Sequence, residues 1–194
     1  MAGCILTKGR GYFCGGQVGG IKKVFLTNYY DAEAIVGVTT DTDGSVTDID
    51  TKATGSLTFF EFDLDRQLSS FNQTITTGKG GAISYAQDLE LHMSHDSEES
   101  WLHMQNVVEG LWQIVVLDNN GVYYLLGKEN GVEVGDGTFA HGGDVAYTDY
   151  VGYVVTMKGA EPIPAFNLST TSPFKAWTGG TLVASETQYD TAQV

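Results

Sequence analysis

The chain reads as a mainly β protein carrying one flanking α-helix at about residues 97–110. Three observations predict this. Glycine is abundant (25) and proline scarce (3), with 10 Tyr and 9 Phe, a mixture that favours many short strands joined by tight turns. Two stretches, SLTFFEFDLD and AISYAQDLELHM, alternate large apolar residues with acids, the period of a strand whose side chains leave on opposite faces. One stretch alone, HDSEESWLHMQNVVEGLWQ, has helical spacing.

Taken in order, residues 1–20 form a glycine-rich N-terminal arm ending in GGQVGG. A phosphate-cradling loop would need a helix immediately after it, and the following IKKVFLTNYY is a strand. EAIVGVTTDTDGSVTDID is a hairpin turning at Asp43-Gly44, a pair suited to positive φ. A calcium loop fails there, because the twelfth position from Asp41 is Lys52 where a Glu is required. In SLTFFEFDLD, Phe60, Phe62 and Leu64 share one face, and Glu61, Asp63 and Asp65 share the other. FNQTITT is a further strand. In AISYAQDLELHM, Ile83, Tyr85, Leu89, Leu91 and Met93 lie on one face with Gln87, and Asp88, Glu90 and His92 lie on the other.

The helix opens with Asp96 as N-cap and Glu99 three residues on, a capping-box arrangement. Trp101, Met104, Val108 and Leu111 make its apolar stripe, and Gly110 or a neighbour ends it. Such a lone amphipathic helix covers one face of a sheet. WQIVVLDNNGVYYLLG is a hairpin turning at Asn119-Asn120-Gly121; KENGVEVGDG adds another turn, and DYVGYVVTMKGAE is a closing strand. The organisation is an arm (1–20), a β body (21–167) and a C-terminal arm (168–194) rich in Ser, Thr and Ala.

At 194 residues the chain suits one domain, and 42% hydrophobic against 18% charged residues marks it as a folding chain. Ten Lys and Arg against 24 Asp and Glu give a net charge of −14. A nucleic-acid binder neutralises phosphates with basic residues, so this balance excludes a large basic binding surface and disfavours anionic membranes. MAGCILTKGRGYF lacks a long apolar segment, so no signal peptide is read there and synthesis in a cytoplasm is expected. Cys4 and Cys14 are then expected as free thiols.

Catalytic and metal signatures are weak. His92 and His95 form an HxxH pair with His103 nearby, but a three-residue offset on a strand points the two to opposite faces. No G-x-S-x-G elbow exists. The acids fall in rows, unlike the single paired carboxylates of glycoside hydrolysis. Trp101 and Trp112 bracket the helix as core residues, with no basic groove that would make them a stacking platform. The reading is non-enzymatic, with no cofactor and no metal.

The order of elements has a counterpart. A glycine-rich start (CILTKGRGYFC…GGIK), GGIKKVFLTNYY, several long strands and one helix come first. WQIVVLDNNGVYYLLGKENGVEVGDG and DYVGYVVTMKGAEPIPAF follow. Together they resemble the tail tube (major tail) proteins of tailed bacteriophages over most of residues 1–167; residues after about 168 have no clear counterpart. The resemblance implies a two-sheet β-sandwich or barrel with a flanking helix. It also implies six copies in a ring, and rings stacked into a hollow tube in the virion tail through which genome DNA passes without specific binding. Partners would be further copies of the chain and other tail and neck proteins. On that footing Glu61, Asp63, Asp65, Asp88 and Glu90 face the channel, backed by a core of Phe60, Phe62, Leu64, Leu89, Leu91 and Trp101. Alternatives are a neck or tail-terminator ring protein and a bacterial β-sandwich glycan-binding module.

Overall fold

A computed structural model describes residues 18–30, 35–40, 46–51, 58–65, 67–94, 98–140, 151–168 and 181–183. Twelve strands and one helix follow one another: β1 (Ile21–Asn28), β2 (Ile35–Thr40), β3 (Val46–Thr51), β4 (Thr58–Asp63), β5 (Ser70–Thr77), β6 (Ile83–Ser94), α1 (Glu98–Glu109), β7 (Leu111–Asp118), β8 (Tyr123–Leu126), β9 (Val132–Ala140), β10 (Gly152–Glu161), β11 (Phe166–Leu168) and β12 (Thr181–Val183). The protein is mainly β, as expected. All strands belong to one predominantly antiparallel sheet ordered β2-β3-β11-β8-β7-β9-β10-β6-β5, with β1 joining β7 to β4 and β4 joining β12. Among the described residues the sheet does not close on itself.

Two apolar clusters explain why these segments are strands. The first gathers Val24 and Leu26 of β1, Ile114 and Val116 of β7, Leu89 and Leu91 of β6, and Val155 and Met157 of β10, with Leu64 beside them. The second gathers the intervening residues of the same central strands, Phe25 and Val115, with Phe59, Leu125 and Leu168. β1 and β7 are thus buried on both faces, which is why VFL and IVVL run without a polar break. Each fully buried aliphatic side chain contributes about 1.5–3 kcal/mol.

α1 lays Met104 and Val107 on the first cluster. Val108 is exposed, so the apolar stripe is centred one residue earlier than the sequence suggests. Trp112 Nε1 donates to the carbonyl of Val107 at 2.8 Å, capping a helix end that carries no basic residue in its last turn. Trp101 lies within α1; its side chain falls outside the described residues, as do Asp96, His95, Cys4, Cys14 and the Asp41–Gly44 turn.

Three expectations are corrected. VEVGDG is a strand, the start of β9, and the turn is confined to the residues before it, closed by Gly131 N donating to Gly127 O at 3.2 Å. β10 does not close the structure: it lies inside the sheet, paired with β9 on one side and β6 on the other. Phe60 is 37% exposed, whereas Phe59, on the opposite face of β4, is fully buried in the second cluster. β4 therefore has an apolar neighbour on each side, and its alternation does not separate core from water. Beyond residue 167, Leu168 is buried and β12 pairs in parallel with β4.

Candidate functional site

The candidate site is a surface made by four strands, β5-β6-β10-β9, all antiparallel. On β6 the burial alternates as the sequence predicts: Gln87, Leu89 and Leu91 are buried, and Asp88, Glu90 and His92 point the other way. Register extends that outer face across the neighbouring strands. Glu90 lies opposite Ser70 of β5 and Thr156 of β10, and Asp88 lies opposite Asn72 and Lys158. Thr156 in turn faces Asp136 of β9, and Lys158 faces Glu133. Directly opposed residues share a face, so the surface presents Asp88, Glu90, Asp136 and Glu133 among hydroxyls and amides, against one ammonium, Lys158, among the described residues.

Asp65 belongs to the same surface. It follows β4, where the chain turns toward β5, its backbone N–H donates to His92 O at 2.9 Å, and its Oδ1 accepts from Ser94 Oγ at 3.2 Å. Glu90 Oε1 lies 3.0 Å from His92 Nε2, so the two side chains are paired on the same face of β6. His103 is exposed on α1, and no cluster of three or more metal-ligating side chains occurs among the described residues.

Glu61 and Asp63 do not join this row. Phe62 and Leu64 pack on the first cluster, which on its far side holds Leu89 and Leu91. The acids between them therefore point away from that cluster on one side of the molecule, and Asp88 and Glu90 point away on the other. Five carboxylates expected on one wall are split between two. The physical reason is the fold of the sheet about the first cluster, which places β4 across the core from β6. The β4 acids have a different task. Lys23 of β1 is bonded to Glu61 and lies 3.1 Å from Asp63; Glu61 is only 10% exposed at its side chain. These pairings, the Glu61 hydrogen bond foremost, raise the Lys23 pKa above the usual lysine value.

A second feature of the surface went unread in the sequence: among the described residues, both of its edges lack a full strand partner. Among the described residues β5 pairs only with β6. β9 meets β7 only at Val132 and Glu133, leaving Val134–Ala140 without a strand partner on that side. No helix among the described residues is long and apolar enough to cross a membrane. No family model, curated protein or solved structure gives a significant match to the chain.

Proposed function

We propose that this chain is a tail tube subunit of a tailed-bacteriophage virion, six copies closing into a ring and rings stacking into a conduit for genome DNA. One observation carries the reading: a four-stranded sheet with an apolar inner face, an acid-bearing outer face and two edge strands that run in opposite directions and, among the described residues, are largely without outer partners. β5 and β9 are separated by three antiparallel pairings, so β5 of one copy set beside β9 of the next continues the alternation. Such a head-to-tail contact generates a ring when its rotation closes, and closure removes edges that otherwise invite aggregation. The finer architecture of the subunit, a two-sheet β-sandwich or barrel of the tail tube type, is part of the same proposal.

The outer face then becomes the lumen. DNA is gripped by Lys and Arg that displace its counterions; a wall of five carboxylates to one lysine per copy, among the described residues, offers almost none. Repulsion extends about one Debye length, roughly 8 Å at physiological salt, so a sliding polyanion is kept from adhering. Asp65, Asp88 and Glu90 keep the role expected of them, joined by Asp136 and Glu133, while Glu61 and Asp63 are assigned to bracing β4 against β1 through Lys23.

Electron microscopy and sedimentation of the purified full chain test the reading. Hollow tubes, or rings that stack as concentration rises, are expected. Single rings that never stack move the chain to the tail-terminator role, and a monomer at all concentrations removes the proposal.

A further inference from the structure

The β9 edge, which among the described residues has no strand partner from Val134 to Ala140, carries more than backbone groups. Beside it, between β9 and α1, lies a groove of about 340 Å³ lined by Val108, Val134, Gly135, Asp136, Gly137 and Phe139. Val134, Gly137 and Phe139 lie opposite Met157, Val155 and Tyr153 of β10, which are buried; the groove thus opens on the apolar side of the sheet. Phe139 is partly exposed, and its ring stands edge-on to Tyr153 at 5.1 Å, so one wall is already held in place. Gly135 and Gly137 contribute backbone and no side chain to its lining.

The opposite edge of the same sheet carries a matching side chain. Ile75 of β5 is 66% exposed. It lies opposite Tyr85, two strand positions from Gln73 and four from Phe71, and Phe71 packs on the first cluster. Ile75 therefore leaves β5 on the apolar side, the side on which the groove opens. On an acidic chain, Ser70–Thr77 is also free of ionisable side chains. It can approach Asp136 without opposing a like charge.

We infer that Ile75 of one copy seats in the groove between α1 and β9 of the next, anchoring the strand-to-strand contact between neighbours. This rests on the ring assembly proposed above and adds the residue that gives the contact its register. A strand added to β9 satisfies main-chain donors and acceptors in any register, whereas a side chain in a pocket selects one. An aliphatic anchor in a preformed pocket also concentrates binding energy at a single point.

Complementary variants test this. Ile75→Glu spoils the knob and keeps the groove; Val108→Glu spoils the groove and keeps the knob. Both positions are exposed, so the monomer is expected to keep its thermal midpoint. Each variant alone is expected to associate at least about 30-fold more weakly, the loss typical of a hot-spot residue, and Ile75→Leu to associate normally. An equimolar mixture of the two defective variants has one competent interface and is expected to stop at heterodimers by sedimentation. Normal tubes from Ile75→Glu would overturn the anchor while leaving the tube reading intact. A mixture without heterodimers would overturn the head-to-tail pairing. A fall in the monomer's thermal midpoint with Val108→Glu, while Ile75→Glu has no effect, would show the groove filled by the chain's own residues and overturn the proposal. A wild-type chain that never associates would instead remove the tube reading itself.

Discussion

Gln113 and Ile35 exchange two hydrogen bonds: Ile35 N donates to Gln113 Oε1 at 2.8 Å, and Gln113 Nε2 donates to Ile35 O at 3.0 Å. The amide side chain of β7 thus does for the first residue of β2 what a neighbouring strand would do. Nε2 also donates to Lys128 O at 3.0 Å, so one buried glutamine ties β2 and the β8–β9 turn to the central strand. A buried polar side chain is tolerable when its groups are satisfied, and both its oxygen and its nitrogen are.

Replacing Gln113 by Leu keeps the volume and strands the backbone groups it served. Each buried group left without a partner costs about 1–3 kcal/mol. Gln113→Leu is therefore expected to lose roughly 2–4 kcal/mol in urea unfolding, read as a lower midpoint with an unchanged slope. An unaffected midpoint would mean that β2 is held by its pairing with β3 alone.

Glu161 gives a pH dependence. It is buried at the end of β10 and accepts backbone N–H groups from Asn130 at 2.9 Å and Glu129 at 3.2 Å. Burial raises its pKa above the ordinary carboxylate value; those N–H bonds pull it down in part, the Glu129 carboxylate raises it and Lys128 lowers it. The folded state therefore holds this proton more tightly than the unfolded chain does. By linkage, the contribution of Glu161 to stability is largest at low pH. It is lost as pH rises from the unfolded value through the raised folded one. Glu161→Gln is expected to flatten the stability profile in that window, measured by thermal unfolding across mildly acidic to neutral pH. A parallel profile for variant and wild type would overturn the assignment.

Much of this was readable from local pattern. β1, β4, β5, β6, the β2–β3 and β7–β8 hairpins and α1 all follow from alternation, turn residues or helical spacing, because these signals act within a dozen residues. Gly121 takes φ 84° in the β7–β8 turn, as its place after Asn119-Asn120 predicts. β9 was hidden by its glycines, which ordinarily punctuate loops. Here they serve close approach: a Cβ on Gly135 would lie 2.9 Å from the Lys158 stem, and one on Gly137 3.1 Å from Val154 O. The division of the acids was not readable at all. Whether Glu61 and Asp88 share a wall depends on how the sheet folds about Leu64 and Leu91, a long-range fact that leaves no mark on either strand.

The acid-bearing face makes the sharpest functional prediction. Asp88→Lys combined with Glu90→Lys reverses two charges on an exposed face. An ammonium introduced at position 88 opposes Lys158, a like-charge pair costing at most about 1 kcal/mol, so folding and tube assembly are expected to persist. On the tube reading proposed above, the lumen would change from repelling phosphate to holding it. Tubes of this variant are expected to retain double-stranded DNA at low salt, with affinity falling by roughly 10³-fold or more between 50 and 200 mM salt, and virions built from them to deliver genomes poorly. Glu61→Gln with Asp63→Asn is the control: it removes charge from the opposite side of the first cluster, loosens the Lys23 pairing, and is expected to lower stability without any DNA retention. Filter binding on assembled tubes reads both. Equal retention by the two variants would mean that the channel is lined by some other face, and absence of retention in both would mean that DNA never meets these strands.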